Sequence, residues 1–276
     1  MSSIYCSDKI IDVSKKTIMG IVNITPDSFS DGQEYLLANK AVNKIIELFE
    51  NGADIVDIGA LATNPLAKEI TEQEELSRVL PVLKIIYQEN IKYLSIDTKS
   101  ALVAQIALEH GVSWLNDQSA GLHDVNMAFI MNKFDAVILM HSLATASGVE
   151  AGENVKYKNI IDDIKNFFHE RLLQLNISKK KVIFDPGIGF SKGLTDSLHI
   201  IKNINQFNEL GFTLLGLSRK SFLGKLFAIE NPKERDAVTL GANIAALTNG
   251  CNIIRTHNVL LCKQFLMAFD ACLGEK

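Results

Sequence analysis

Eight short runs rich in β-branched and large apolar residues recur along this chain, with stretches of helical periodicity between them. The runs are Thr17–Asn23, Asp54–Ile58, Tyr93–Asp97, Ser113–Asn116, Ala136–His141, Lys181–Asp185, Thr213–Leu217 and Asn252–Thr256. Most are apolar at consecutive positions, the pattern of parallel strands covered on both faces. Between them, Ala41, Ile45, Leu48 and Gly52 fall at helical spacing. So do Leu76, Leu80, Leu83 and Tyr87, and later Leu261, Phe265, Phe269 and Leu273. Asn51–Gly52, His110–Gly111, Leu210–Gly211 and Asn249–Gly250 supply helix-ending signals just before the next strand. Eight such βα alternations without an obvious linker predict an α/β fold, a single TIM-type (β/α)8 barrel. An open dinucleotide-binding sheet would need GxGxxG after the first run, where the chain reads NITPDSFSDG. Residues 1–16 are read as a short N-terminal extension, a hairpin across the barrel floor. The whole of 1–276 is expected to form one domain.

Composition limits the function. The chain has 276 residues, 47% of them hydrophobic, enough for one core of the size such barrels need. A formal net charge of -4 carries no basic excess for nucleic acid. The first residues hold no long apolar signal-type stretch, and no run reaches the ~20 apolar residues of a membrane span. A cytoplasmic protein with no membrane partner is expected. Cys6, Cys251, Cys262 and Cys272 show no CxxC pairing, and Cys262 and Cys272, on the last helical stretch, read as small core residues.

The chemistry should lie at the carboxyl ends of the strands, where this architecture places its sites. Reading those ends gives Asn23, Asp57, Asp97, Asn116 with Asp117, His141, Asp185, Ser218–Arg219–Lys220, and Arg255 with His257. Singly, each has an ordinary explanation, such as capping the next helix. Together they put polar groups at all eight ends. Asp97, Asn116, Asp185 and Lys220 suit the edge of a flat, nitrogen-rich ring. Arg255 and His257, two residues apart, suit an anion such as phosphate. Asn23 and the acidic loop after it suit Mg²⁺ on a diphosphate. That loop, Thr25–Gly32, mixes Pro, Ser, Asp and Gly around Phe29, a composition fit for a mobile lid.

At these residues the chain resembles dihydropteroate synthases. The matching blocks are MGIVNITPDSFSDG at 19–32, LSIDT at 94–98, ND at 116–117, DPGIGFSK at 185–192, SRKSFLG at 218–224 and RTHNV at 255–259. They follow in family order over nearly the whole chain. The resemblance implies condensation of 6-hydroxymethyl-7,8-dihydropterin diphosphate with 4-aminobenzoate, giving 7,8-dihydropteroate and diphosphate for folate synthesis. It implies Mg²⁺ as cofactor and a homodimer. Asp97, Asn116, Asp185 and Lys220 would hold the pterin, with Met140 against its ring. Asn23, Arg255 and His257 would hold the diphosphate, with Asn23 also on the metal. Phe29, Pro65, Phe190, Lys220 and Ser221 would shape the aminobenzoate pocket, and Thr63 would touch substrate from the second loop. Asp97, Asp185, Lys220, Arg255 and a charged His257 would carry the chemistry.

The chain departs from the family in its outer ring. Where the family reads GGESTRPG, residues 59–66 read GALATNPL, so Leu61, Ala62 and Asn64 replace Glu, Ser and Arg. Met140–Ala144 reads MHSLA, Asn258 replaces Asp, and Gln118–Ser119 replaces an Ile–Arg pair. Two other readings therefore accompany the synthase: a divergent pterin-binding paralogue with weak, lost or altered condensation, and a pterin-barrel methyltransferase.

Overall fold

Strands that are apolar on both faces must be covered on both faces, and a closed sheet ringed by helices achieves this. The computed structural model describes residues 3–13, 16–24, 34–60, 70–145, 148–149 and 156–274. Its elements are β1 (Ser3–Cys6), β2 (Lys9–Asp12), β3 (Thr17–Asn23), α1 (Glu34–Glu50), β4 (Ile55–Gly59), α2 (Glu72–Gln88), β5 (Leu94–Asp97), α3 (Ala101–Glu109) and β6 (Trp114–Asp117). There follow α4 (Met127–Met131), β7 (Ala136–Met140), β8 (Ala144–Thr145), β9 (Gly148–Val149), α5 (Ile160–Leu175), β10 (Val182–Asp185) and α6 (Leu194–Lys202). The last are β11 (Phe212–Gly216), α7 (Ser221–Phe227), α8 (Asp236–Thr248), β12 (Ile253–Thr256) and α9 (Val259–Leu273).

The eight runs form one closed parallel barrel in the order β3-β4-β5-β6-β7-β10-β11-β12, with β12 pairing back to β3. Most strand limits fall within a residue of the sequence expectation. Two features had no sequence signal: the small β8–β9 ladder, and a paired helix, α7 then α8, after β11. Among the described residues no helix is long and apolar enough to cross a membrane.

Two apolar layers hold the barrel. The outer one lies between sheet and helices and includes Ile45, Leu48, Leu83, Ile86, Phe134, Phe168 and Phe184. The helices enter it by amphipathic spacing. α2 starts on a Thr71 cap whose hydroxyl accepts from Glu74 N at 3.2 Å, then buries Val79, Val82, Leu83 and Ile86. Each fully buried side chain of this kind contributes about 1.5–3 kcal/mol. The inner layer fills the barrel itself with Met19, Ile55, Trp114, Ile138, Ile183, Leu214 and Ile253.

The β1–β2 hairpin closes the amino-terminal end of this inner layer. Alternation sends Ile4, Cys6 and Ile11 inward, where they join Val13 in the same cluster. Trp114 Nε1 donates to the Tyr5 carbonyl at 2.7 Å, and Ser7 N donates to Asp135 Oδ2 at 2.9 Å. With one end plugged, the other rim is where a cavity remains.

Candidate functional site

Parallel pairing brings the carboxyl ends of all eight barrel strands to that rim, so groups far apart in sequence meet. A cavity there is lined by Asn116 and Gln118 from β6 and its end, Met140 from β7, and Asp185 from β10. Phe190, Ser218, Lys220, Arg255 and His257 complete its polar and aromatic wall, over Ile21, Ile188 and Gly216.

One side of the rim is a brace of buried charges. Arg255 Nε donates to Asp57 Oδ2 at 2.7 Å, and its Nη2 donates to Asp97 Oδ2 at 2.8 Å. Asn116 Nδ2 also donates to Asp57 Oδ2, at 2.9 Å. Gln118 Nε2 lies 2.9 Å from both oxygens of Asp97. Two carboxylates thus share one guanidinium. Burial lifts the Asp97 carboxyl above its usual range, with Arg255 pulling against that shift and Asp57 adding to it.

The opposite side leaves its charges facing the cavity. Asp185 closes β10, and its Oδ1 accepts from Gly187 N at 2.8 Å. Burial raises its pKa, against the Gly187 amide and the Lys220 ammonium. Lys220 Nζ stands 4.3 Å above the Phe190 ring, and burial lowers its pKa to about 8 while Asp185 opposes the shift. Gly187, at φ +72°, lets the chain after β10 pass close to the end of β7: a Cβ there would lie 2.1 Å from the His141 carbonyl oxygen.

Beneath Phe190, Lys192 ties two loops together. Its Nζ reaches His141 Nδ1 at 2.9 Å, the His141 carbonyl at 3.2 Å and the Phe190 carbonyl at 2.9 Å. Three donors meet three acceptors, so the buried ammonium is satisfied. Burial lowers the Lys192 pKa to about 7; burial and the Lys192 charge hold His141 neutral.

The structure sharpens several expectations. Asp97 sits behind Gln118 and does not line the cavity. Arg255 is engaged by two carboxylates before any anion arrives. His257 was expected as a cation, yet burial and the Arg255 charge lower its pKa to about 4. Its Nδ1 lies 2.9 Å from Ser218 Oγ. Asn23 is exposed at the end of β3, and Ser221 is exposed as the first residue of α7; neither lines the cavity. Asp117 is a loop staple, accepting from Ser119 N, Ser119 Oγ and Gly121 N, each at 2.7 Å. Phe29 and the lid, with Thr63, Pro65 and the altered Leu61, Ala62 and Asn64, lie outside the described residues.

Two contributors went unread in the sequence: Gln118 as a wall group and Lys192 as the tie; Ser218 was read at its strand end but given no role. Lys192 had a signal, a lone cation in DPGIGFSK. The departure at Asn258 also gains a reason. Arg219 forks onto Asp236 at 2.7 and 2.9 Å, and Asn258 Nδ2 donates to Asp236 Oδ2 at 2.9 Å. Asp at 258 would set two carboxylates face to face. Asn also keeps the helix cap, its Oδ1 accepting from Leu261 N at 3.1 Å.

A family profile described as pterin binding enzyme matches residues 19–257. The chain is 37% identical over 270 residues to a folate synthesis bifunctional protein of Arabidopsis thaliana, covering 91% of this chain and 56% of that protein. It thus spans just over half the length of that bifunctional relative. It is 33% identical over 274 residues to a dihydropteroate synthase of Haemophilus influenzae, covering 97% and 98% of the two chains. The fold superposes on a dihydropteroate synthase of Xanthomonas albilineans, solved with 7,8-dihydropteroate, with a TM-score of 0.85 at 30% identity, over 99% and 100% of the chains. The rim geometry and these likenesses agree, and the chain belongs to the dihydropteroate synthase family of pterin-binding enzymes.

Proposed function

We propose that the protein is a transferase of folate biosynthesis. It joins 6-hydroxymethyl-7,8-dihydropterin diphosphate to 4-aminobenzoate and releases diphosphate and 7,8-dihydropteroate. The carrying observation is the pair Asp185 and Lys220, a buried acceptor and a buried donor facing one slot whose wall includes Asn116 and Met140. A carboxylate fits the amino and ring N–H donors of a pterin, and an ammonium fits its carbonyl oxygen.

The chain's residues act by binding and charge placement. Asn116, Asp185 and Lys220 grip the ring, and Met140 packs against it. As the bond between the exocyclic methylene carbon and the diphosphate oxygen breaks, positive charge develops on the pterin side. Asp185 favours that charge. Arg255 has two of its five N–H donors on Asp57 and Asp97; the others, with His257 and Asn23, take the departing anion. The aminobenzoate nitrogen then bonds to the methylene carbon, and the ammonium so formed releases its proton. By the family resemblance, Phe190, Lys220 and Ser221, with Phe29 and Pro65, shape the aminobenzoate pocket, and Thr63 touches the diphosphate.

The described residues do not fit a resident metal. No group of three or more His, Cys, Asp or Glu is placed to hold an ion. Asp57 and Asp97 are committed to Arg255, and the single amide of Asn23 is no cage for Mg²⁺. Mg²⁺ is therefore assigned to the substrate, as the counter-ion of its diphosphate with Asn23 beside it. The whole chain 1–276 acts as one cytoplasmic barrel domain on small-molecule substrates, with no nucleic-acid or membrane partner, and pairs as a homodimer. The homodimer that the resemblance implies would cover exposed apolar residues such as Leu226 and Phe227 on α7 or Leu261, Phe265 and Met267 on α9. Incubation with the dihydropterin diphosphate, 4-aminobenzoate and Mg²⁺ tests the reading. Dihydropteroate is expected, and none above background overturns it.

A further inference from the structure

Lys192 lines no part of the cavity, yet it joins two of the loops that surround it. Its side chain is buried. Two of its three acceptors are main-chain carbonyls, that of His141 after β7 at 3.2 Å and that of Phe190 after β10 at 2.9 Å. The third is His141 Nδ1 at 2.9 Å, on an imidazole that meets the Phe167 ring of α5 edge-on at 4.8 Å. Because two of these acceptors belong to the backbone, the ammonium fixes the path of the chain at both loops. Charge-assisted bonds of this kind are the strong ones, and a buried carbonyl left without its donor is costly.

The same loop is held at a second point. Ser191, between Phe190 and Lys192, stands at φ +53°. A serine keeps that left-handed conformation only where its surroundings over-determine it, and such strain gathers at functional sites. Here the Ser191 carbonyl accepts from the Tyr157 hydroxyl at 3.1 Å, and Ser191 Oγ donates to the Leu143 carbonyl at 3.3 Å. The residue these ties place is Phe190, whose ring lies in the cavity wall with Lys220 Nζ 4.3 Å above it. The backbone beside it is close to the same lysine: a Cβ at Gly189 would lie 3.3 Å from Lys220 Cδ. Asn116 and Asp185 are held differently, by the register of β6 and β10. A shift of the loop would therefore open the space between Phe190 and Lys220 and leave those two strand residues in place.

We propose that Lys192 is a positioning residue for the second substrate: by holding the His141 and Phe190 carbonyls together it sets the Phe190 ring against Lys220, and with it the pocket for 4-aminobenzoate, while touching neither substrate. This rests on the condensation proposed above. Steady-state kinetics of the parent, Lys192→Met and Tyr157→Phe test it, with KM measured for each substrate. Lys192→Met removes all three donors, and Tyr157→Phe removes only the hydroxyl on the Ser191 carbonyl. Circular dichroism and a melting curve establish the fold of each, and Tyr157→Phe decides the question should Lys192→Met not fold. In Lys192→Met the KM for 4-aminobenzoate should rise about tenfold, the scale of one lost charge-assisted bond. The KM for the dihydropterin diphosphate should stay within about twofold of the parent's, and kcat should fall by less than the aminobenzoate KM rises. Tyr157→Phe should move the aminobenzoate KM the same way, by about two- to threefold. A lowered melting temperature with both KM values unchanged makes Lys192 a structural residue only and overturns the proposal. An equal rise in both KM values, or no change in Tyr157→Phe where it alone folds, overturns it too. In each of these cases the parent still makes product and the condensation reading stands. A parent that makes no dihydropteroate overturns both.

Discussion

The two sides of the rim use similar charges for different ends. Toward β4, β5 and β12, Asp57, Asp97 and Arg255 spend most of their bonding on one another, with Asn116 and Gln118 closing the set. Toward β10 and β11, Asp185 and Lys220 line the cavity with their charges held in a poorly solvated place. The difference separates groups that also brace the scaffold from groups left to a ligand alone. A buried charge met by protein partners holds strands together, whereas one met only in part awaits a ligand.

The contrast predicts where each substitution acts. Arg255→Met should strike stability hardest, because it leaves two buried carboxylates without a cation, a loss of about 3–5 kcal/mol. Urea unfolding measures it, and a midpoint near the parent's would mean the brace is not structural. Lys220→Met should instead spare the fold and lower kcat/KM by about 10²–10³, the usual scale for one lost electrostatic contact. A collapse of the melting temperature together with activity would erase the distinction between the two sides.

The altered second loop should give a smaller effect. Asn64→Arg should raise turnover by about 10- to 100-fold if the missing guanidinium limits diphosphate binding, the scale of one charge-assisted bond. No change would place a compensating cation elsewhere.

The smallest effect concerns pH. In the ligand-free protein His257 is neutral above about pH 4 and Lys220 loses its proton near pH 8. An incoming diphosphate favours the charged form of both. Its binding should take up protons and tighten as pH falls from 9 to 6, by at most about tenfold per proton per pH unit. Isothermal titration in buffers of different ionisation enthalpy reads the uptake, and His257→Asn should remove the part below pH 7. Proton release on binding would contradict the assignment. For folding the sign runs the other way. His257 has a folded-state pKa below the unfolded value, so its contribution to stability is present above about pH 6.5 and is lost as pH falls toward 4.

Much of this was legible in the chain alone. Strand positions, the barrel and the rim residues follow from local apolar runs and from the rule that parallel strands end together. Asp185, Lys220, Asn116, Met140, Phe190, Arg255 and His257 were all named from sequence, and all seven line one cavity. Their division of labour was not legible. Nothing in LSIDT tells that Asp97 is held by Gln118 and Arg255, because these lie 21 and 158 positions further along. Nothing in RTHNV tells that His257 is neutral, because that depends on burial and on the charge of Arg255 beside it.

The sequence by itself determined the barrel, since hydrophobic periodicity is local and each run carries its own instruction to be buried on both faces. It also determined which polar groups reach the rim, since strand register follows from that burial. Only the tertiary structure decided which of those groups neutralise one another and which are left for a ligand. Protonation, pairing and exposure depend on distances between strands that are remote in the chain, and those distances exist only once the barrel closes.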